Sequence, residues 1–408
     1  MRERALCAIA ECRHLATMTE EPGRTTRRFL TPPVHEVHAH LRRRMADLEM
    51  DVRVDAVGNL RGLWKPPNAH EGRLILGSHI DTVPDAGAYD GVLGVMLAIE
   101  CVEIAREIAF PMPIEVIAFS EEEGVRFGIP VLGSRAVVGR FTPALLELKD
   151  AEGITLDQAI RAFGLDPALM DETLISEDAA AYVEFHIEQG PVLEAEGLSV
   201  AVVSSIVGQT RLTLEFAGQA NHAGTTPMRL RRDALAAAAE WISAVEELAT
   251  RSDGLVATVG KIALEPNATN VIPGRARVSL DVRHTNNHER EAAVEDLVAR
   301  AQELAARRGL TMECTRQVNG TSVPMDERIT AYLADAVEAA GFPARTMPSG
   351  AGHDAMVLAT RVPAGMLFLR SPGGISHHPT EAVREEDVEA ALLVARQFLM
   401  RLASEFRV

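Results

Sequence analysis

Two stretches of this 408-residue chain carry side chains suited to hold a cation. They are Gly77-Ser78-His79-Ile80-Asp81-Thr82-Val83, with Tyr89-Asp90-Gly91 close behind, and Phe119-Ser120-Glu121-Glu122-Glu123-Gly124. Imidazole and carboxylate donate lone pairs to a divalent ion, and a spare carboxylate can take a proton from water, which is the equipment of a hydrolytic centre. His79 and Asp81 are two residues apart. Asp81 is therefore expected behind the histidine, holding its tautomer and raising its basicity, rather than on the same ion. Asp90 precedes a glycine and a helix start, a place from which one carboxylate can bridge two cations. Among Glu121, Glu122 and Glu123, one can ligate while a neighbour pointing elsewhere acts as general base, and the residues alone do not say which. His186, in His186-Ile187-Glu188-Gln189-Gly190-Pro191, and His377-His378-Pro379, after Ser371-Pro372-Gly373-Gly374-Ile375-Ser376, add further ligand types. Taken singly, each has a plainer role: His79 as a core histidine, Asp90 as a helix cap, the glutamates as a solvated loop.

The neighbouring elements argue for the site. Leu74-Ile75-Leu76 and Ile114 to Phe119 are apolar, branched runs that suit buried strands of a parallel sheet. Open α/β sheets place their ligands at the carboxyl ends of such strands, where the His79 and Glu121–Glu123 loops begin. Residues 91–108 have helical apolar spacing, and 181–185 read as a strand ending at His186. The first seventy residues read as helices and a short strand near Val52, residues 145–171 as a helical surface insertion, and residues 385–405 as a closing helix. Near Gly208 the character changes. Strand 211–216, helix 233–252, strands 255–264 and 275–284, helix 287–308 and strand 310–316 form a β-α-β-β-α-β order, the split βαβ signature of a small sandwich domain. The chain is thus expected to be α/β, with a discontinuous catalytic domain (1–208 and 320–408) and an inserted lid or dimerisation domain (209–319). In the insert, Asn221-His222-Ala223-Gly224-Thr225-Thr226-Pro227 is a polar, turn-rich loop. Arg283, at a strand end, could hold a substrate carboxylate with its planar fork. A surface histidine and a surface ion pair are the plainer alternatives. His14, His35, His38, His40 and His70 lack strand-end context and are expected at the surface.

A net charge of −17 argues against nucleic acid or an anionic membrane as partner. The four cysteines show no CxxC pair, and the first thirty residues hold no continuous apolar stretch. A reducing, cytoplasmic setting is expected, with no membrane span.

The motifs GSHIDTV, YDGVLGV, EEEGVRF, HIEQGPVLE, NHAGTTPM with the following RRDA, NVIPG, SGAGHDA and GISHHPTE resemble, in this order, the binuclear metal amidohydrolases of the aminoacylase/carboxypeptidase superfamily. The likeness is closest to the hydantoinase/carbamoylase branch, which holds N-carbamoyl-L-amino acid hydrolases, β-ureidopropionases and allantoate amidohydrolases. It runs from about residue 20 to the end. The resemblance implies a ferredoxin-like insert and two divalent ions (Zn or Mn, with Co or Ni possible). His79, Asp90 and His186 would hold one ion, and Asp90, Glu123 and His377 the other, with Asp90 bridging. It implies Glu122 as the catalytic base, with Glu121 a bystander. It implies Gln209, His222, Asn270 and Arg283 as substrate residues, with His222 also stabilising the developing oxyanion and reaching across a homodimer. His378 departs from the family, where Asn is commoner. The implied reaction is hydrolysis of a ureido C–N bond in a small carboxylate substrate, an N-carbamoyl-L-amino acid or allantoate, releasing ammonia and carbon dioxide. An N-acyl amino acid hydrolase or dipeptidase on the same metals is the alternative.

Overall fold

The computed structural model describes residues 1–405. The chain divides into two compact units: Met1–Ser204 with the residues from Met325 onward, and Ser205–Pro324.

The larger unit is built on a mixed sheet. At its centre Ile114–Phe119, Arg73–His79, Ala179–Ile187 and Ala364–Leu369 lie side by side in that order and all run parallel. Ile114–Phe119 and Ala364–Leu369 are buried at every residue, as their unbroken apolar runs require of strands covered on both faces. Antiparallel strands flank the centre: Leu60–Trp64 and Asp51–Val54 on one side, Val200–Ile206 on the other. In the parallel register His79 stands opposite Phe119, and His186 opposite Phe368, so the ligand candidates gather at one end of the sheet. The helix Val92–Glu107 buries all but three of its residues. It packs against the strands Arg73–His79 and Ala179–Ile187 and the helices Arg2–Ala16 and Glu385–Ser404. Gly94 lets it approach the sheet, since a Cβ there would lie 2.1 Å from the Phe185 carbonyl oxygen.

The strand Leu60–Trp64 is missing from the sequence reading. It lacks β-branched residues and carries an arginine, but Arg61 is buried against Glu115 at 2.7 Å, so the strand pays for a core charge with a partner. The 145–171 stretch is less superficial than its polarity suggests: Leu156, Ile160 and Phe163 join the hydrophobic core. His38 is also buried, at 5% exposure.

The smaller unit is an antiparallel sheet in the order Ile262–Glu265, Arg275–His284, Gly208–Ala217, Thr311–Gly320, with Val256–Thr258 also paired to Arg275–His284. The expected 255–264 strand breaks in two around Gly260, where Ser279 Oγ takes the Lys261 N–H at 2.9 Å. Alternate residues Ala276, Val278, Leu280 and Val282, with Leu212, Leu214 and Phe216, form a core with the helices Ala234–Arg251 and Asn287–Arg308.

Candidate metal centre

Each ligand candidate in the larger unit sits at or after the carboxyl end of one of the four parallel strands, or just before the buried helix. His79 closes its strand, and its Nδ1 donates to the Asp81 backbone carbonyl at 3.0 Å. His186 does the same to Ile187 O at 2.8 Å. Each ring therefore keeps its Nε2 for another partner, and the two Nε2 atoms lie 3.5 Å apart. Asp90 Oδ1 is 3.3 Å from His186 Nε2. Asp90 Oδ2 is 3.1 Å from His377 Nε2, which is 3.3 Å from Glu123 Oε1. Ligands bound tetrahedrally at about 2.0–2.1 Å stand about 3.3 Å from one another. The observed spacings, 3.1 to 3.5 Å, fit two such cations with Asp90 shared between them. Gly91, at φ 67°, begins the helix directly under the His79 ring, where a Cβ would lie 2.4 Å from Nε2.

Electrostatics support a cationic occupant. Burial, and then the neighbouring Glu123, Asp354, Asp81 and Asp90, push the Glu122 carboxyl well above its ordinary range. Burial acts on Asp90 in the same direction, but the His377 hydrogen bond and the facing imidazoles outweigh it and hold Asp90 below the usual carboxylate range. His377, hydrogen-bonded to Asp90 and Glu123, is raised to about 10, so without a cation a proton on His377 stands between the two carboxyl groups. Glu122 Oε2 stands 4.0 Å from His79 Nε2, and His79, Glu122 and Glu123 form a further group with metal-ligand spacing.

Asp81 stands behind the His79 ring, its Oδ1 3.6 Å from Nδ1. The ring is hydrogen-bonded to the backbone carbonyl of Asp81, and the Asp81 carboxylate accepts the N–H groups of Glu122 and Glu123, both at 3.0 Å. It thus also shapes the turn that carries Glu122 and Glu123. Glu121 is no bystander to the structure: it is buried, has φ 53°, and accepts the N–H groups of Arg126 and Phe127.

Three side chains packed around these residues escape the residue-by-residue reading. Gln189 Nε2 donates to both Asp90 oxygens, at 3.1 and 3.0 Å. Its position three residues beyond His186 was the available signal. His353 packs its ring 4.3 Å from that of His186 and bonds Ser349 Oγ at 2.9 Å. Glu381 supports the Asp90 turn from the end of the last motif. Glu184, His186 and His353 also cluster, but Glu184 is already an acceptor for Ser78, Tyr182 and the Ala355 N–H.

The other four candidates lie in the smaller unit and are not brought together. Gln209 pairs with Arg283 across adjacent strands, and both bond Asp281. His222 pairs with Val271, beside Asn270, whose carbonyl takes the Ala223 N–H at 3.0 Å. The first pair lies at one end of the Arg275–His284 strand and the second beyond the other end, so about 26 Å of strand separates them at ~3.3 Å per residue.

Residues 75–401 match the family model for peptidase family M20/M25/M40. The chain is 37% identical to an allantoate deiminase of Arabidopsis thaliana, covering 96% of this chain and 81% of the relative. It is 39% identical to an N-carbamoyl-L-amino acid amidohydrolase of Geobacillus stearothermophilus, covering 88% of each. Its fold matches a hydantoinase/carbamoylase-family amidase of Burkholderia multivorans, with a TM-score of 0.91, 31% identity and 97% of both chains aligned. The chain belongs to the M20/M25/M40 family.

Proposed function

We propose that this member of the M20/M25/M40 family hydrolyses the carbamoyl C–N bond of a small ureido carboxylate, an N-carbamoyl-L-amino acid or allantoate, releasing ammonia and a carbamate that loses carbon dioxide to leave the amine. It is a hydrolase of C–N bonds other than peptide bonds, as the activities named for its relatives indicate. The observation that carries the reading is the Asp90 carboxylate with one oxygen toward His186 and the other toward His377, with the buried Glu122 carboxyl beside them.

Two divalent cations, Zn or Mn, held by His79, Asp90 and His186 and by Asp90, Glu123 and His377, would bring the pKa of water from about 15.7 toward ~7 and polarise the carbamoyl oxygen. Glu122 takes the proton from the attacking water and returns it to the leaving nitrogen. Arg283 grips the substrate carboxylate in two-pronged fashion, with Gln209 beside it. Asn270 and His222 orient the carbonyl and stabilise the developing oxyanion.

The smaller unit serves as a ferredoxin-like lid and dimer contact. Its recognition residues form two pairs separated by about 26 Å of strand, farther apart than one small substrate can span. A homodimer resolves this: one pair acts in its own subunit, and the His222–Asn270 pair enters the partner's site. A cytoplasmic location completes the reading. Among the described residues no helix is long and apolar enough to cross a membrane.

The test is ammonia release across N-carbamoyl amino acids, allantoate, N-acetyl amino acids and dipeptides, with Zn and Mn compared. Turnover of the ureido compounds alone is expected. Preference for the N-acetyl compounds or dipeptides would replace this reading with the acylase or peptidase one.

A further inference from the structure

We propose that Glu381 is a positioning residue that ties the turn carrying Asp90 to the loop carrying His377, and so sets the spacing of the two cation pockets. This deepens, and rests on, the two-cation reading above. Glu381 is 6% exposed, and its carboxylate serves the backbone. Oε1 accepts the N–H of Tyr89 at 2.9 Å and of Asp90 itself at 3.1 Å. Oε2 lies 3.0 Å from Ser376 Oγ, and the same hydroxyl is 3.3 Å from Asp90 Oδ2. Ser376 directly precedes His377. One side chain therefore holds the main chain of one ligand and, through a single hydroxyl, the residue before another.

The surroundings are cut to fit this carboxylate. At Gly87 a Cβ would lie 2.3 Å from Glu381 Cβ and 2.4 Å from Oε1. A buried carboxylate is costly unless its oxygens are hydrogen-bonded, and here two N–H groups and a hydroxyl supply the bonds. Asp81 does the equivalent work on the opposite side, for Glu122 and Glu123. Both ligand turns thus hang from a buried carboxylate that touches no reacting atom. Supporting groups of this kind typically change metal affinity or activity by about 10–100-fold when removed.

The experiment compares Glu381→Ala, Glu381→Gln and Gly87→Ala in the full-length protein, with Asp90→Ala as control. Co(II) stoichiometry and affinity are measured by competition with a chromophoric chelator. The visible Co(II) spectrum, kcat, KM and the thermal transition are recorded alongside. Glu381→Ala and Gly87→Ala should each weaken Co(II) binding about 10–100-fold, alter the spectrum, and lower kcat with little change in KM. Glu381→Gln keeps an acceptor oxygen for the two N–H groups and should recover most of the loss. Wild-type affinity and spectrum in both alanine variants would overturn the proposal, as would a glutamine variant no better than Glu381→Ala. If Glu381→Ala does not fold, Gly87→Ala decides, because it displaces the carboxylate without removing it. If Asp90→Ala still binds two ions with wild-type affinity, the reading of Asp90 as their shared ligand fails instead; if it loses them while the other variants keep theirs, only the role of Glu381 fails.

Discussion

Residues from His79 to His377 meet in the larger unit with spacings of 3.1 to 3.5 Å. In the smaller unit, residues from Gln209 to Arg283 are much nearer in sequence, yet they part into two pairs, one in the main sheet and one in a separate two-stranded ribbon. The difference follows from topology. Parallel strands all point their carboxyl ends the same way, so loops distant in sequence converge at one edge. Antiparallel strands alternate direction, so successive loops fall at alternate ends. One set of candidates is brought together within a single chain, and the other is not.

The strongest way to break that contrast is at the shared ligand. Asp90→Ala should abolish turnover and both cation sites together, as read by metal analysis of the purified protein; loss of only one ion would mean Asp90 does not bridge. Glu122→Gln should lower kcat by about 10²–10⁴-fold with two ions still bound. Retained activity would remove Glu122 as the base.

Sharing between subunits gives the next effect. His222→Ala and Glu122→Gln proteins, each nearly inactive, are mixed and allowed to exchange subunits. If His222 acts across a two-fold dimer, roughly a quarter of all sites become intact. No recovery, with exchange verified, would place His222 in its own subunit's site.

The smallest effect is a proton. In the cation-free centre His377 is raised to about 10 by Asp90 and Glu123. It is therefore protonated at neutral pH, and a cation must displace that proton. Affinity should rise with pH up to about 10 and fall in acid, with at least one proton released per filled centre. Calorimetry in buffers of different ionisation enthalpy measures this. Buffer-independent heats would show that no proton stands between Asp90 and Glu123.

Much of the centre was legible because its signals are local: an apolar run names the strand, and the polar residues just after it name the ligands. His79, Glu121–Glu123 and His186 all follow such runs. The supports were not legible. Glu381 acts on backbone N–H groups 291 and 292 residues away in sequence, and nothing in its neighbourhood announces that partner. Asp81 stands behind His79, as its spacing suggests, but only the structure shows that its carboxylate also satisfies main-chain donors of a turn from another strand. Leu60–Trp64 was missed because a buried arginine disguises a core strand until Glu115 is seen opposite it.

His377 is 47% exposed at its side chain, while His79 and His186 are almost wholly enclosed. The two pockets should therefore exchange their contents at different speeds. Dilution or a mild chelator should strip the outer ion first, leaving a half-loaded enzyme that retains the inner one. A mixed-metal species should then form on refilling, and a biphasic loss of activity with time would be its trace.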